Sequence, residues 1–204
     1  ALAAEKVFPP GALISVSSRA AQEVVKEGQT RLETGESFSV EDMLALLLVE
    51  SSNPAARALA DAAGYEQFLG TMREEAARLG LSSVVIENVT GLDLVSAGSR
   101  GINVASPRDL TALFREVLDN HPALRALLGV SEAKVRGTSG TSYRVRTTNA
   151  LLTSSHDSPF VVIGGKTGET PRAQQALIFA AQYPSRSGYL IGVVLESEDR
   201  FGEA

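Results

Sequence analysis

The sequence predicts an α+β fold in which a helical part packs on a mostly antiparallel sheet. Residues from about 39 to 128 carry blocks of helical periodicity closed by capping residues. Residues from about 131 to 201 carry short runs rich in β-branched and aromatic side chains, separated by turn residues. The chain has 204 residues, of which 44% are apolar and 21% charged, enough for one full core or two small subdomains. We read 1–204 as a single domain, without internal repeat or low-complexity tract.

"ALAAEKVFPPG" is helix-favouring until Pro9-Pro10-Gly11 stops it. "LISVS" and "TRLET" are strand-like, with a polar stretch between them. Ser39 is placed to cap the helix of "VEDMLALLLVE", with Asp42 in its acidic first turn; this segment is apolar on nearly all faces and predicts deep burial up to Ser51. "NPAARALADAAG" begins a second helix, with Pro54 near its first position and Gly64 at its end. "YEQFLGTMREEAARLG" spaces Phe68, Leu69, Met72, Ala76 and Leu79 along one face and stops at Gly80. "SPRDLTALFREVLDNHP" has Ser106 as cap, Pro107 next and Asp109 in the first turn. Beyond Leu128, "AKVRGTSGTSYRVRTTN" predicts two strands around a Gly-Thr-Ser-Gly turn. "PFVVIGGKTG", "QQALIFAAQY" and "GYLIGVVLES" predict three more, the last two joined through Pro184–Gly188.

The composition excludes several functions. Nineteen basic against 24 acidic residues give a net charge of −5, which argues against a nucleic-acid partner because phosphate binding needs clustered Lys and Arg. The chain has no cysteine and so no disulfide or thiolate metal site. Its two histidines are separate: His121 precedes Pro122 at a helix start and His156 falls in a polar turn. No apolar run approaches a membrane span, the longest being Met43 to Val49, and no secretory signal opens the sequence.

The chemistry is concentrated in "GGKTGET", residues 164–170. Gly165-Lys166-Thr167 could end a phosphate-binding loop, but that loop needs glycine where Phe160 stands and must open a helix, whereas Pro171 and a strand-like run come next. The alternative is a Lys-Thr-Gly motif on a strand, with the lysine at its end or edge beside a serine hydroxyl, and with Gly164, Gly165 and Gly168 allowing a ligand close to the backbone. A turn with one exposed lysine would carry the same letters. Ser51-Ser52-Asn53 supplies the companion Ser-x-Asn at a helix–helix junction. Alone it reads equally as a helix cap, but the two motifs in this order, with helices between, are specific.

Together with these motifs, "GESFSVEDMLALLLVESSNPAARALA", "EEAARLGLSSVVIENVTGLD", "NVASPRDLTAL", "TNALL", "GGKTGET" and "VVLESEDRF" succeed one another as in a known family. Over about Ile14 to Phe201 the chain resembles the D-alanyl-D-alanine carboxypeptidases, the low-molecular-weight penicillin-binding proteins. The resemblance implies a penicillin-binding/β-lactamase-like transpeptidase fold and a serine-type carboxypeptidase. Such an enzyme acts on the D-alanyl peptides of peptidoglycan on the extracytoplasmic side, is inhibited covalently by β-lactams, and needs no metal or organic cofactor. It implies catalytic roles for Ser51, Asn53 and Lys166, with Thr167, Gly168, Glu169 and Thr170 binding substrate. Glu169 departs from the aromatic residue or histidine often found at that place.

The family's nucleophile lies in a Ser-x-x-Lys motif ahead of Ser-x-Asn. Here the single Ser-x-x-Lys is Ser131-Glu132-Ala133-Lys134, in the wrong order and on a strand-like run. "ALAAEKVF" resembles the segment just after the start of the family's nucleophile helix. The expectation is therefore a chain lacking the Ser-x-x-Lys segment and two N-terminal strands, either truncated, cleaved or a natural pseudoenzyme, and inactive as it stands. Two alternatives accompany the carboxypeptidase. One is a class A-like β-lactamase, which would need Glu116 to Asn120 as its deacylating loop, though Asp119 stands where leucine belongs and the run reads as a helix end. The other is a non-catalytic peptidoglycan-binding module.

Overall fold

A computed structural model describes residues 1–96, 99–153, 159–185 and 187–204. His156 and Arg186, and with it part of the expected last turn, lie outside the described residues. Helix α1 (Leu2–Val7) leads to strand β1 (Leu13–Ser15), the short helix α2 (Ser18–Ala21) and strand β2 (Ser37–Ser39). Helices α3 (Val40–Leu48), α4 (Asn53–Ala63) and α5 (Tyr65–Arg78) come next, then the hairpin β3 (Leu94–Ser96) and β4 (Ser99–Gly101), and helices α6 (Pro107–Asn120) and α7 (Pro122–Leu128). The C-terminal part holds the hairpin β5 (Glu132–Arg136) and β6 (Ser142–Arg146), a 3₁₀ turn (Ala150–Leu152), and the strands β7 (Val161–Thr170), β8 (Gln174–Gln182) and β9 (Leu190–Ser197). Among the described residues all strand pairs are antiparallel, and β8 lies between β7 and β9.

The capping residues act as their spacing predicts. The Ser39 hydroxyl accepts from the Asp42 amide, that of Ser106 from the Asp109 amide, and Pro54 and Pro107 open their helices where no amide is needed. Glu116 to Asn120 is the last turn of α6, where Asn120 Nδ2 donates to the Glu116 carboxylate at 2.7 Å. Helix α3 is the centre of the molecule. It packs on α4, α7 and β5, and Met43 and Leu46 are fully buried. The apolar cluster around it runs from Ala3 to Ala180 and joins the helices to the sheet. A smaller cluster, Leu177, Phe179 and Ala181 with Leu151, Val194 and Phe201, lies on the other side of the sheet.

Three local expectations are corrected. "TRLET" is not a strand: the Thr30 amide and hydroxyl are taken by the Glu50 carboxylate, and β1 pairs with β2 instead. The polar stretch before it contains helix α2, capped by Ser17. Helix α3 stops at Leu48, because the chain reverses at Ser51 and the Ser52 amide donates back to the Leu46 carbonyl at 3.0 Å.

Candidate functional site

The reversal after α3 builds one wall. Ser52 caps α4, its hydroxyl accepting from the Ala55 amide. Ser51, its neighbour, is half-buried and lines the cavity. Ser51 sits at φ = 62°, in the left-handed region that costs a non-glycine residue about 1 to 2 kcal/mol. Glu50 anchors the turn from below: its carboxylate accepts from the Thr30 amide and hydroxyl, and Gln29 Nε2 donates to its carbonyl at 2.6 Å. Burial pushes the Glu50 carboxyl above its ordinary pKa, and the two Thr30 hydrogen bonds oppose that rise. Asn53 Nδ2 donates to the Val24 carbonyl at 2.8 Å, tying α4 to the loop after α2.

Strand β7 builds the facing wall. Among the described residues it pairs with β8 on one side, and its other edge borders the cavity. Lys166 lies inside the strand and not at its end, in register with Ile178, and β7 continues to Thr170. Lys166 Nζ donates to Ser51 Oγ at 2.7 Å and to the Thr167 carbonyl at 2.8 Å. Burial of this ammonium, reinforced by the positive charges of Arg200 and Lys26, lowers its pKa to about 8. Thr167 Oγ1 lies 2.5 Å from Thr148 Oγ1, and the Thr148 amide donates to the Val49 carbonyl. Thr148 thus bridges the two walls.

A third side comes from the loop after α5. Buried Asn88 accepts from the Thr90 and Gly91 amides and donates to the Leu92 and Gly101 carbonyls, which holds Thr90, Gly91 and Leu92 against the cavity. The enclosed space is about 410 Å³. Ser51, Asn53, Lys166, Thr167, Gly168, Glu169 and Thr170, all predicted from sequence, line this one space. Ser131 and Lys134 do not; Lys134 stands exposed on β5, opposite Arg144.

The glycines divide differently from expectation. A side chain at Gly165 would meet Asn149 Nδ2 at 2.7 Å and the Ile178 carbonyl at 2.8 Å, and one at Gly164 would meet the Leu128 carbonyl at 3.3 Å. Those two glycines serve internal packing. At Gly168 the nearest atom is Ala176 Cβ at 3.7 Å, so this is the glycine with room beside it.

Sequence reasoning missed Lys26, Thr148 and Arg200, which also line the cavity. Arg200 comes after β9, and the antiparallel run β7–β8–β9 returns it to the end of β7, where its Nη1 donates to the Gly168 carbonyl at 2.9 Å. Its buried Nε has no hydrogen-bond partner among the described residues. No local pattern marks such a residue; only the strand register does. Among the described lining residues Lys26, Lys166 and Arg200 face a single acid, Glu169. An acidic chain therefore has a cavity of positive potential, suited to an anionic group such as a carboxylate. The hydroxyl of Ser51 beside a lysine of lowered pKa is a pair able to pass a proton.

The family model described as D-alanyl-D-alanine carboxypeptidase matches residues 3–199. A D-alanyl-D-alanine carboxypeptidase of Streptomyces is 30% identical over 84% of this chain and 59% of its own length. A D-alanyl-D-alanine endopeptidase of Haemophilus influenzae is 29% identical over 83% of this chain and 54% of its own. The chain thus spans about half the length of the curated relatives it matches. Among solved structures, a D-alanyl-D-alanine carboxypeptidase from Mycobacterium tuberculosis superposes with a TM-score of 0.82 at 25% identity, over 98% of this chain and 71% of that one. The Streptomyces DD-transpeptidase gives 0.74 at 29% identity, over 95% and 77%.

Proposed function

Because this chain belongs to the D-alanyl-D-alanine carboxypeptidase family, we propose that its cavity takes the D-alanyl end of peptidoglycan stem peptides, outside the cytoplasm, for cleavage through a serine acyl-enzyme. The observation that carries the reading is the 2.7 Å hydrogen bond from Lys166 Nζ to Ser51 Oγ, which joins two motifs 115 residues apart at the wall of one cationic cavity. In this reading a serine oxygen forms a bond to the D-alanyl carbonyl carbon and the C–N bond breaks. Ser51 passes a proton to the leaving nitrogen, and water then hydrolyses the ester. Lys166 keeps Ser51 oriented and holds positive potential, and Asn53, whose Nδ2 donates to the Val24 carbonyl, has its Oδ1 to accept from the substrate amide or from the lysine of the Ser-x-x-Lys motif. Thr167 and Arg200 receive the terminal carboxylate, and the free edge of β7 near Glu169 and Thr170 offers an amide to the developing oxyanion. The apolar cluster shared by helices and sheet supports treating both parts as one catalytic unit.

The attacking serine belongs to a Ser-x-x-Lys that the 204 residues do not place ahead of Ser51. The competing reading is a peptidoglycan-binding module of this fold that uses the same cavity without acylation. Fluorescent penicillin separates them. The 204-residue chain should show no covalent label. A longer natural chain carrying these residues and an upstream Ser-x-x-Lys should label, and should cease to label when that serine is replaced. Label on the 204-residue chain would overturn the assignment of the nucleophile, and no label on the longer chain would leave the binding module.

A further inference from the structure

We infer that Glu169 is a specificity-determining residue: an internal carboxylate that occupies the cations at the cavity mouth and so shifts the site away from ligands ending in a free carboxylate and towards peptides whose chain continues. The inference rests on the carboxylate-binding reading of the cavity given above. One oxygen, Glu169 Oε2, lies 3.6 Å from Lys26 Nζ and 3.5 Å from Arg200 Nη1. The two cations come from distant parts of the chain, the loop after α2 and the turn after β9, and Glu169 is the acid that joins them.

The bridge is built to exchange. Both distances exceed those of a tight charge-assisted hydrogen bond, and the Glu169 side chain is 49% exposed, so it can leave without breaking packing. Arg200 by contrast is 13% exposed and fixed by the Gly168 carbonyl. An incoming carboxylate must therefore either displace Glu169 from Arg200 or share the mouth with a like charge. A neutral peptide or amide group meets no such penalty.

The space beyond the mouth fits the same class of ligand. A second groove of about 570 Å³ shares Lys26, Glu169 and Thr170 with the cavity and runs on past Pro171, Gln174 and Gln175. A chain continuing beyond the D-alanyl residue has a path there, along polar amide side chains.

The test is the ratio of affinities of the 204-residue chain for N-acetyl-D-alanyl-D-alanine and for its C-terminal amide, measured by titration calorimetry. Glu169→Gln should raise the preference for the free acid about five-fold, the scale of one exposed ion pair, and Arg200→Gln should lower it. An unchanged or lowered preference in Glu169→Gln, or an equal change for both ligands, overturns the inference while leaving the site reading intact. Failure of every variant and of the parent chain to bind either ligand removes the site reading itself, and the inference with it.

Discussion

The two walls of the cavity are held in different ways. The helical wall ends α3, whose Met43, Leu44, Ala45 and Leu46 are buried in the main apolar cluster, and its turn is fixed by the cap at Ser52 and the buried Glu50. The sheet wall is β7, held by its ladder to β8 and by glycines that let Asn149 and Leu128 approach, with a smaller apolar cluster behind it and a buried ammonium in front. The helical wall therefore draws its position from excluded volume. The sheet wall draws its properties from charge. Perturbing the first should change stability at every pH, and perturbing the second should change how stability and binding depend on pH and ionic partners.

The largest expected effect is on the helical wall. Leu46→Ala, in a side chain with no exposed surface, should lower stability by about 2 to 5 kcal/mol, read as a shift in the urea midpoint. The loss should be the same at pH 6 and pH 9. A strong pH dependence of that loss would erase the distinction between the walls.

Next comes Lys166. Its folded-state pKa, lowered from 10.5 to about 8, lies below that of the unfolded chain. Between those values the unfolded chain binds more protons, so stability rises with pH across the interval, by about 3 kcal/mol in full. Below about pH 8 the folded chain carries the buried cation at a cost. The parent chain minus Lys166→Met, compared by denaturant titration from pH 7 to 10.5, should show this rise. A flat difference would mean that solvent reaches the ammonium.

The smallest effect isolates the turn between the walls. Ser51→Gly and Ser51→Ala both remove the hydroxyl that accepts from Lys166, but only glycine adopts φ = 62° without strain. Ser51→Gly should be more stable than Ser51→Ala by about 1 kcal/mol. Equal stability would show that the turn relaxes, and that Ser51 is not held against its backbone preference.

Much of this molecule was legible because its signals are local. Ser39, Ser106, Pro54 and Gly64 mark helix ends through contacts within one turn, and the strand runs after Leu128 carry their own period. "TRLET" misled because a strand-like composition says nothing of a buried carboxylate 20 residues away that takes the backbone partners. The motif pairs were legible too, since Ser-x-Asn and Lys-Thr-Gly are contiguous letters.

By itself, then, the sequence determined most of the helices and strands, the family likeness and seven of the residues that line the cavity, because each rests on neighbours in the chain. The tertiary structure alone decided that Thr148 ties the two walls, that Gly164 and Gly165 serve packing, and that Lys26 and Arg200 meet across Glu169. Those facts depend on strand register and on which loops close over which edge. Such positions result from burying one apolar cluster around α3, a constraint on the whole chain that no short window of residues contains.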